Sequence, residues 1–584
     1  MAGIIVGLAL ARRRNIRSVG SLVGSAVPAG CVLLLLLFGL DTSAQQPAPR
    51  ITGEISNASR STIAGSHPPV TRSMHDSGQV PSDTQLQGMS VVLSRTPAQE
   101  AALQSLIAAQ QDPSSTQYHQ WLTPDQYAAR FGVADSDIAQ VESWLQQQGF
   151  AIDGVSRSKN RITFSGNVGQ VDAAFGAELH NYTSGTQTHF APSSDISIPA
   201  ALASVIQTVT NLSSFRPKPH LSFSPVKANP QPNFTSGQTG SYFLTPGDVA
   251  TIYDITPAYN SGYTGADQSI AVAGQSNILQ SDVTNFQNAA GLPVKNPTIV
   301  LVPNSGSSTT YSGDEAESDL DVEYSGAVGK GTSIYFIYVG NNQNDSVWNS
   351  IQYAVDTRVA PIISTSYGDC ETDMSSSDYT SLNGILAQAA AQGQSVVAAA
   401  GDDGSTDCYG DTTLSSSQQM ALAVDFPASS QYVTGMGGTE FPAADVTAPN
   451  ATYWAQAVGN DVITSALSYI PEQIWNDDAT CVQFVSAGGL PLCSGGGGAS
   501  ALTPRPSWQT GVPGIPSGSY RLVPDISLDA SAINAPYLFC SSDSQSTGIN
   551  GSCANGFRDS NNQYLTTAGG TSFDAPIFAG MLSI

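Results

Sequence analysis

Apolar positions recur at helical spacing in two separate stretches of this chain, and in both they alternate with short strand-like runs. The first stretch opens near Met89. Thr96-Pro97 followed by Gln99 makes a capping box with proline at the first helical position, which predicts a helix to about residue 111. Thr123-Pro124 with Gln126 repeats the signal ahead of 127–131. Ile138, Val141 and Leu145 share one helical face, and Gly149 stops it. Strands are predicted at 151–156 and 161–165 about a turn at Lys159-Asn160, and a helix at 171–179. Together these make a small α+β domain over 89–215.

The second stretch, 241–584, reads differently. Nearly continuous apolar strands at 269–273, 334–339, 361–366, 395–400 and 432–436 alternate with helices at 315–326, 347–355 and 379–392. Buried strands separated by helices predict an α/β domain with a doubly wound parallel sheet. Ligands bind such sheets beyond the carboxyl ends of the strands. Outside the two patterned stretches, residues 45–88 are rich in Ser, Thr and Pro and read as a flexible segment. Residues 216–240 read as an exposed linker of the kind proteases cut.

Composition narrows the function. The chain has 584 residues, 11% of them charged, and a net charge of −25. From Ser241 onward 32 acidic residues face six basic ones, which excludes a nucleic-acid binder and suits an acidic medium. Residues 1–44 read as an export signal: Arg12, Arg13, Arg14 and Arg17 precede an uncharged run over 18–40, with small residues at Thr42, Ser43 and Ala44. An uncleaved membrane anchor is the alternative. Cys370, Cys408, Cys481, Cys493, Cys540 and Cys553 follow the leader, an even number that points to disulfides in an exported chain. Neighbours would pair as 370–408, 481–493 and 540–553, among fifteen connectivities. No spacing matches a zinc site, and no metal ligand is assigned.

Three segments could carry chemistry. Gly569-Gly570-Thr571-Ser572 leads into an apolar helical run, so Ser572 sits where backbone N–H groups favour negative charge. A nucleophilic serine needs a base. All six histidines (His67, His75, His119, His180, His189 and His220) precede the second domain, so a histidine base would have to reach across domains. A carboxylate is the alternative. The run 314–323 offers two acidic ladders at helical spacing, Glu315/Asp319/Glu323 and Glu317/Asp321, and spacing does not choose between them. Gly401-Asp402-Asp403-Gly404 ends a buried-type strand, where a protonated aspartate could donate to an oxyanion.

In combination these segments resemble the sedolisin family, the kumamolisin-like serine-carboxyl peptidases. The family's Glu-x-x-x-Asp helix followed by Gly-Ala is similar to Glu317 through Asp321 with Gly326-Ala327. Its Ala-Gly-Asp-x-Gly matches Ala400 to Gly404, and its Gly-Thr-Ser-x-x-x-Pro matches Gly570 to Pro576. Residues 89–215, including Gln117-Tyr118-His119-Gln120-Trp121-Leu122, resemble the family's pro-domain. The resemblance implies a subtilisin-like fold and a secreted, acid-active endopeptidase made as a zymogen. Its partners would be protein or peptide substrates and its own pro-domain, acting as inhibitor and chaperone. It also implies residue roles: Ser572 as nucleophile, Glu317 as base, Asp321 as its orienting partner, Asp402 as oxyanion donor, and Ser366, Tyr367 and Gly368 beside the substrate. Calcium is implied as well, but by a segment C-terminal to the serine, and this chain stops at Ile584. The chain thus reads as a fragment or a truncated form, and a non-catalytic binding protein on the peptidase fold is the alternative function.

Overall fold

The computed structural model describes residues 47–223, 226–229, 232–457, 460–481 and 492–584; the leader read from residues 1–44 lies outside them. Among the described residues no helix is long and apolar enough to cross a membrane.

The N-terminal domain contains β1 (Arg60–Thr62), β2 (His75–Gln79), β3 (Gln85–Leu93), α1 (Pro97–Gln111), α2 (Pro124–Phe131), α3 (Asp135–Gln147), β4 (Ala151–Val155), β5 (Arg161–Asn167), α4 (Val168–Phe175), β6 (Leu179–Ser184), β7 (Gln187–Pro192), β8 (Ser197–Pro199) and β9 (Ile206–Thr210). An antiparallel sheet in the order β4-β5-β3-β9 packs its inner face on α3 and α4 through Val91, Phe164, Val141, Trp144 and Phe175. Both predicted capping boxes form, at Thr96 with Gln99 and at Thr123 with Gln126. The helix expected over 171–179 instead spans Val168–Phe175: Gly176 adopts φ 67° and ends it, and Leu179 opens a strand.

Residues 47–88, read from the sequence as flexible, carry β1 and β2 and bury Ile51, Val70 and Val80. Their backbone is held by distant carboxylates. Asp137 accepts from the N–H groups of Arg50 and Ile51 at 2.7 and 3.1 Å, and Asp195 accepts from those of Gly65, Ser66 and His67.

After a two-residue strand in the linker, β10 (Lys218–Pro219), the C-terminal domain contributes β11 (Ser269–Gly274), β12 (Thr298–Leu301), α5 (Asp314–Val328), β13 (Ser333–Tyr338), α6 (Val347–Thr357), β14 (Ile362–Thr365), β15 (Tyr367–Cys370), α7 (Ser376–Ala391), β16 (Ser395–Ala399), β17 (Asp425–Phe426), β18 (Val433–Glu440), β19 (Ile526–Asp529) and α8 (Thr571–Ser583). The sheet runs β12-β13-β11-β14-β16-β18, parallel throughout, with β19 parallel to β18 and Gln473–Ile474 closing it antiparallel. Register places Ile270 beside both Ile334 and Ile362, and Ile363 beside Val396. Helices cover both faces: α6 and α7 pack on one, α5 and α8 on the other. All three neighbour disulfides form, Cys370–Cys408, Cys481–Cys493 and Cys540–Cys553.

The N-terminal domain docks on α6 and α7. Leu103, Leu106, Leu122, Tyr127 and Phe131 form one apolar cluster with Ala387 and Ala391. Ala391 O accepts from Leu122 N at 3.0 Å and from Gln110 Nε2 at 3.0 Å. Burying these groups against each other removes α7 from water only while the two domains stay together.

Candidate active site

Ser572 is the second residue of α8, whose first-turn N–H groups have no partner inside the helix. Pro576 lies one turn further on and lacks the N–H that would bond the Ser572 carbonyl. That carbonyl instead faces Ser366 Oγ, at 3.1 Å. The helix is entered through Gly570, at φ 118°. A Cβ there would fall 2.5 Å from both Asp402 Oδ2 and the carbonyl oxygen of His220. Glycine is thus required, and those two oxygens lie no more than about 5 Å apart.

Asp402 follows the carboxyl end of β16, as the sheet topology leads one to expect. Its Oδ1 accepts from Thr571 N at 2.9 Å and Thr571 Oγ1 at 2.8 Å. Its Oδ2 has no partner among the described residues. Burial pushes the carboxyl up to about 6, against the charge of His220 and the two Thr571 bonds.

Glu317 and Asp321 project from α5 and are fully buried. Burial first, and Asp321 second, drive Glu317 well above the usual carboxylate range, while the Ser572 hydroxyl acts in the opposite direction. The two groups face each other, yet neither Ser572 Oγ nor either Glu317 oxygen completes a hydrogen bond among the described residues. Asp321 is also raised well above its ordinary value by burial, opposed by Ser366. Ser366 Oγ lies 2.6 Å from Asp321 Oδ1 and 3.1 Å from the Ser572 carbonyl oxygen. One hydroxyl has one proton to donate. Both contacts are hydrogen bonds only when Asp321 is protonated and donates to Ser366, which then donates to Ser572. Asp321 and Glu317 are both buried and Asp321 raises Glu317, so the two carboxyls do not readily ionise together.

The linker passes directly through this site. Lys218 and Pro219 of β10 pair antiparallel with Gly368 and Tyr367 of β15, and His220 N donates to Ser366 O at 3.2 Å. The His220 carbonyl oxygen accepts from Ser572 N at 3.2 Å. Beyond it, Ser222 and Phe223 pair antiparallel with Gly569 and Ala568. A peptide carbonyl therefore accepts from the Ser572 N–H and lies within about 5 Å of the free oxygen of Asp402, with extended backbone on both sides. That is the arrangement of an oxyanion site.

His220 is the histidine that reaches across domains, but its imidazole does not address the serine. Nε2 lies 3.0 Å from Asp425 Oδ2, and Ser572 Oγ has no histidine partner. Sequence reasoning weighed His220 only as a base reaching across domains, and it missed Asp425 and the contact between the two. Asp425 directly precedes Phe426-Pro427-Ala428, but nothing local marks its carboxyl as a contact, and it fits only because residue 368 is glycine: a Cβ at Gly368 would collide with it. Burial lifts Asp425 well above the usual range, reinforced by Asp369.

The second ladder is buried too but turns away from Ser572. Asp319 and Glu315 meet Asp282, with ligand oxygens all within 4.8 Å. Burial and the neighbouring Asp543 raise Glu315 to about 7. This cluster is not the calcium segment implied by the resemblance, which follows the serine in sequence. No residue of the chain is assigned to that calcium, and no step is routed through it.

Residues 72–215 match the model of the Pro-kumamolisin activation domain, and residues 306–584 match the Subtilase family. Kumamolisin from Bacillus sp. (strain MN-32) is 29% identical over 475 residues, covering 79% of this chain and 74% of that one. Sedolisin from Pseudomonas sp. (strain 101) is 27% identical over 501 residues, covering 84% and 75%. Among solved structures, Pseudomonas sedolisin (serine-carboxyl proteinase) complexed with two molecules of pseudo-iodotyrostatin aligns at 27% identity and a TM-score of 0.44, over 59% of this chain and 80% of that chain. The chain thus carries a Pro-kumamolisin activation domain followed by a Subtilase-family domain, and it is similar to kumamolisin and sedolisin across both.

Proposed function

We propose that this protein is an exported, acid-active serine endopeptidase made as a zymogen, with Ser572 as nucleophile. Glu317 takes the serine proton as the hydroxyl attacks a peptide carbonyl and returns it to the leaving amine. Asp321 holds the other proton of the pair and, through Ser366, fixes the backbone of Ser572. Asp402, protonated on Oδ2, donates to the oxyanion beside the Ser572 N–H. Ser366, Tyr367 and Gly368 hold the substrate backbone by strand pairing, which is independent of side chains. The observation that carries this reading is the peptide carbonyl of His220 accepting from Ser572 N close to Asp402 while Glu317 faces the serine.

Acid activity follows from the proton inventory. Asp402 donates only when protonated, so activity falls as pH rises through about 6. Glu317 accepts only when the pair has lost a proton, so activity falls again in strong acid. Asp402 faces Glu317, Asp403, Asp425 and Asp574 as well as His220, so acidic neighbours outnumber the one base. Export is supported by the basic and apolar pattern of residues 1–44 and by three disulfides.

The test is casein hydrolysis by the full-length protein at pH 4 and pH 7, alongside Ser572→Ala and Glu317→Gln. Hydrolysis at pH 4 that both substitutions abolish supports the reading. Hydrolysis that survives Ser572→Ala rejects it.

A further inference from the structure

Glu315 and Asp319 lie one turn apart on α5, and neither takes part in the chemistry described above. Like charges at this spacing destabilise a helix. Asp282 joins them from the first turn of the helix Gln280–Ala289, and one carboxylate oxygen from each of the three lies within 4.8 Å of the others. Asp282 and Asp319 are fully buried, while Glu315 is 9% exposed, so one edge of the cluster reaches water. The hydrogen-bond donors around it are unevenly distributed. Asp282 accepts from Ser542 N at 2.7 Å and from Ser542 Oγ at 3.1 Å. Asp543, close by, accepts from Gly313 N at 2.6 Å and from Ser312 Oγ at 2.9 Å. Asp319 has no donor on either oxygen among the described residues; the Ser541 hydroxyl faces it without completing a hydrogen bond. The charges acting most strongly on Glu315 and Asp319 are those of Asp282 and Asp543, both acidic. A buried carboxylate with neither donor nor counter-charge is costly.

We propose that Asp282, Glu315 and Asp319 bind a hard divalent cation, calcium by its size, which fastens α5 to the helix Gln280–Ala289. An anionic set made only of oxygens, with no thiol or imidazole, suits such an ion rather than zinc or copper. Calcium takes its ligands at about 2.3–2.6 Å, so oxygens on opposite sides of one ion stand up to about 5 Å apart. The three carboxylates reach one calcium as they stand. Magnesium holds opposed ligands no more than about 4 Å apart and gives up its water reluctantly, so it fits the set less well. The remaining positions fall to the Ser541 hydroxyl and to water entering past Glu315. The ligands all precede the serine in sequence, and the inference does not depend on Ser572 as nucleophile. Its structural consequence is a brace behind the helix that carries Glu317 and Asp321.

The experiment uses the full-length Ser572→Ala protein at pH 7, stripped with EDTA and gel-filtered. Calcium, magnesium and zinc chlorides are titrated separately by isothermal titration calorimetry, and the melting midpoint is followed at a few millimolar of each. Calcium is expected to bind at about one ion per chain with a Kd of about 10⁻³ M or tighter, and to raise the midpoint by at least about 2 °C. Magnesium should bind at least about tenfold more weakly. Asp319→Asn and Glu315→Gln keep the shape of each side chain and remove its charge, and each should weaken calcium at least about tenfold and abolish the shift. Asp267→Asn, at an exposed carboxylate of the same domain, should change neither. Glu315 lies at the water-facing edge, so its variant decides the matter if Asp319→Asn fails to fold. No saturable calcium binding by the folded protein, or binding that Glu315→Gln retains at full strength, overturns the inference. Magnesium or zinc bound as tightly as calcium overturns the choice of ion.

Discussion

Replacing Asp402 with asparagine separates the oxyanion role from the charge. The Thr571 N–H and hydroxyl both point at Oδ1, so an amide must put its carbonyl oxygen there. Its NH2 then occupies the Oδ2 position, facing the carbonyl held at Ser572, and it donates at every pH. In the native protein the same hydrogen bond exists only in the protonated fraction, which at pH 7 is about one-tenth for a group at about 6. Native kcat/KM should therefore fall by about 50-fold between pH 6 and pH 8, approaching tenfold per unit well above the midpoint. Asp402→Asn should keep the acid limb and flatten the upper one, losing less than about threefold between pH 5 and pH 7. Asp402→Ala, which removes the donor, should lose about 10²–10³-fold in kcat at all pH values. The assay is a pH series on a fluorogenic peptide with pre-processed enzyme. An Asp402→Asn profile that falls at high pH as the native one does would refute the assignment of that limb to Asp402. So would a loss below about tenfold in Asp402→Ala.

Other expectations follow from the same structure. Gly368→Ala would drive a Cβ into the Asp425 carboxyl beside the strand that pairs with the linker, and kcat/KM on peptide substrates should fall by about tenfold or more, read against the thermal midpoint. Trp121 packs against Gly393 at the domain contact, so Trp121→Ala in a Ser572→Ala background should lower stability at pH 7 by about 1–3 kcal/mol in urea titration. Acid should stabilise the precursor. Asp402 holds its proton to about 6 when folded but only to about 4 when unfolded, so the native state binds more protons between those values and stability falls as pH rises through them. That group alone contributes on the order of 3 kcal/mol, and Glu317 and Asp321 act in the same direction. The Ser572→Ala precursor should melt higher at pH 4 than at pH 7.

Much of this was legible in the chain because its signals are local. The capping boxes at Thr96 and Thr123, the apolar strands and the α5 carboxylates each announce themselves within a few residues. Choosing Glu317 and Asp321 over Glu315, Asp319 and Glu323 needed the resemblance, since both ladders are buried and only their surroundings differ. What stayed hidden depends on partners far along the chain. Residues 47–88 look loose because their order comes from Asp137 and Asp195. The linker looks featureless because it pairs as a strand with residues about 150 and 350 positions later. Nothing near Asp425 in sequence points to its partner, because His220 belongs to that linker. Ser366 was read as a neighbour of the substrate; its bridge from Asp321 to the backbone of Ser572 depends on Pro576 leaving a carbonyl free.

The central claim is that a carboxyl group, not an imidazole, activates Ser572, and trapping the acyl-enzyme tests it most directly. A peptide ester is mixed with enzyme at pH 4, quenched within one turnover, digested and mapped by mass spectrometry. The account predicts the acyl mass on the fragment containing Ser572, formed at least about 10²-fold more slowly in Glu317→Gln and absent in Ser572→Ala. An adduct on another residue, or one formed at the native rate without the Glu317 carboxylate, would contradict it.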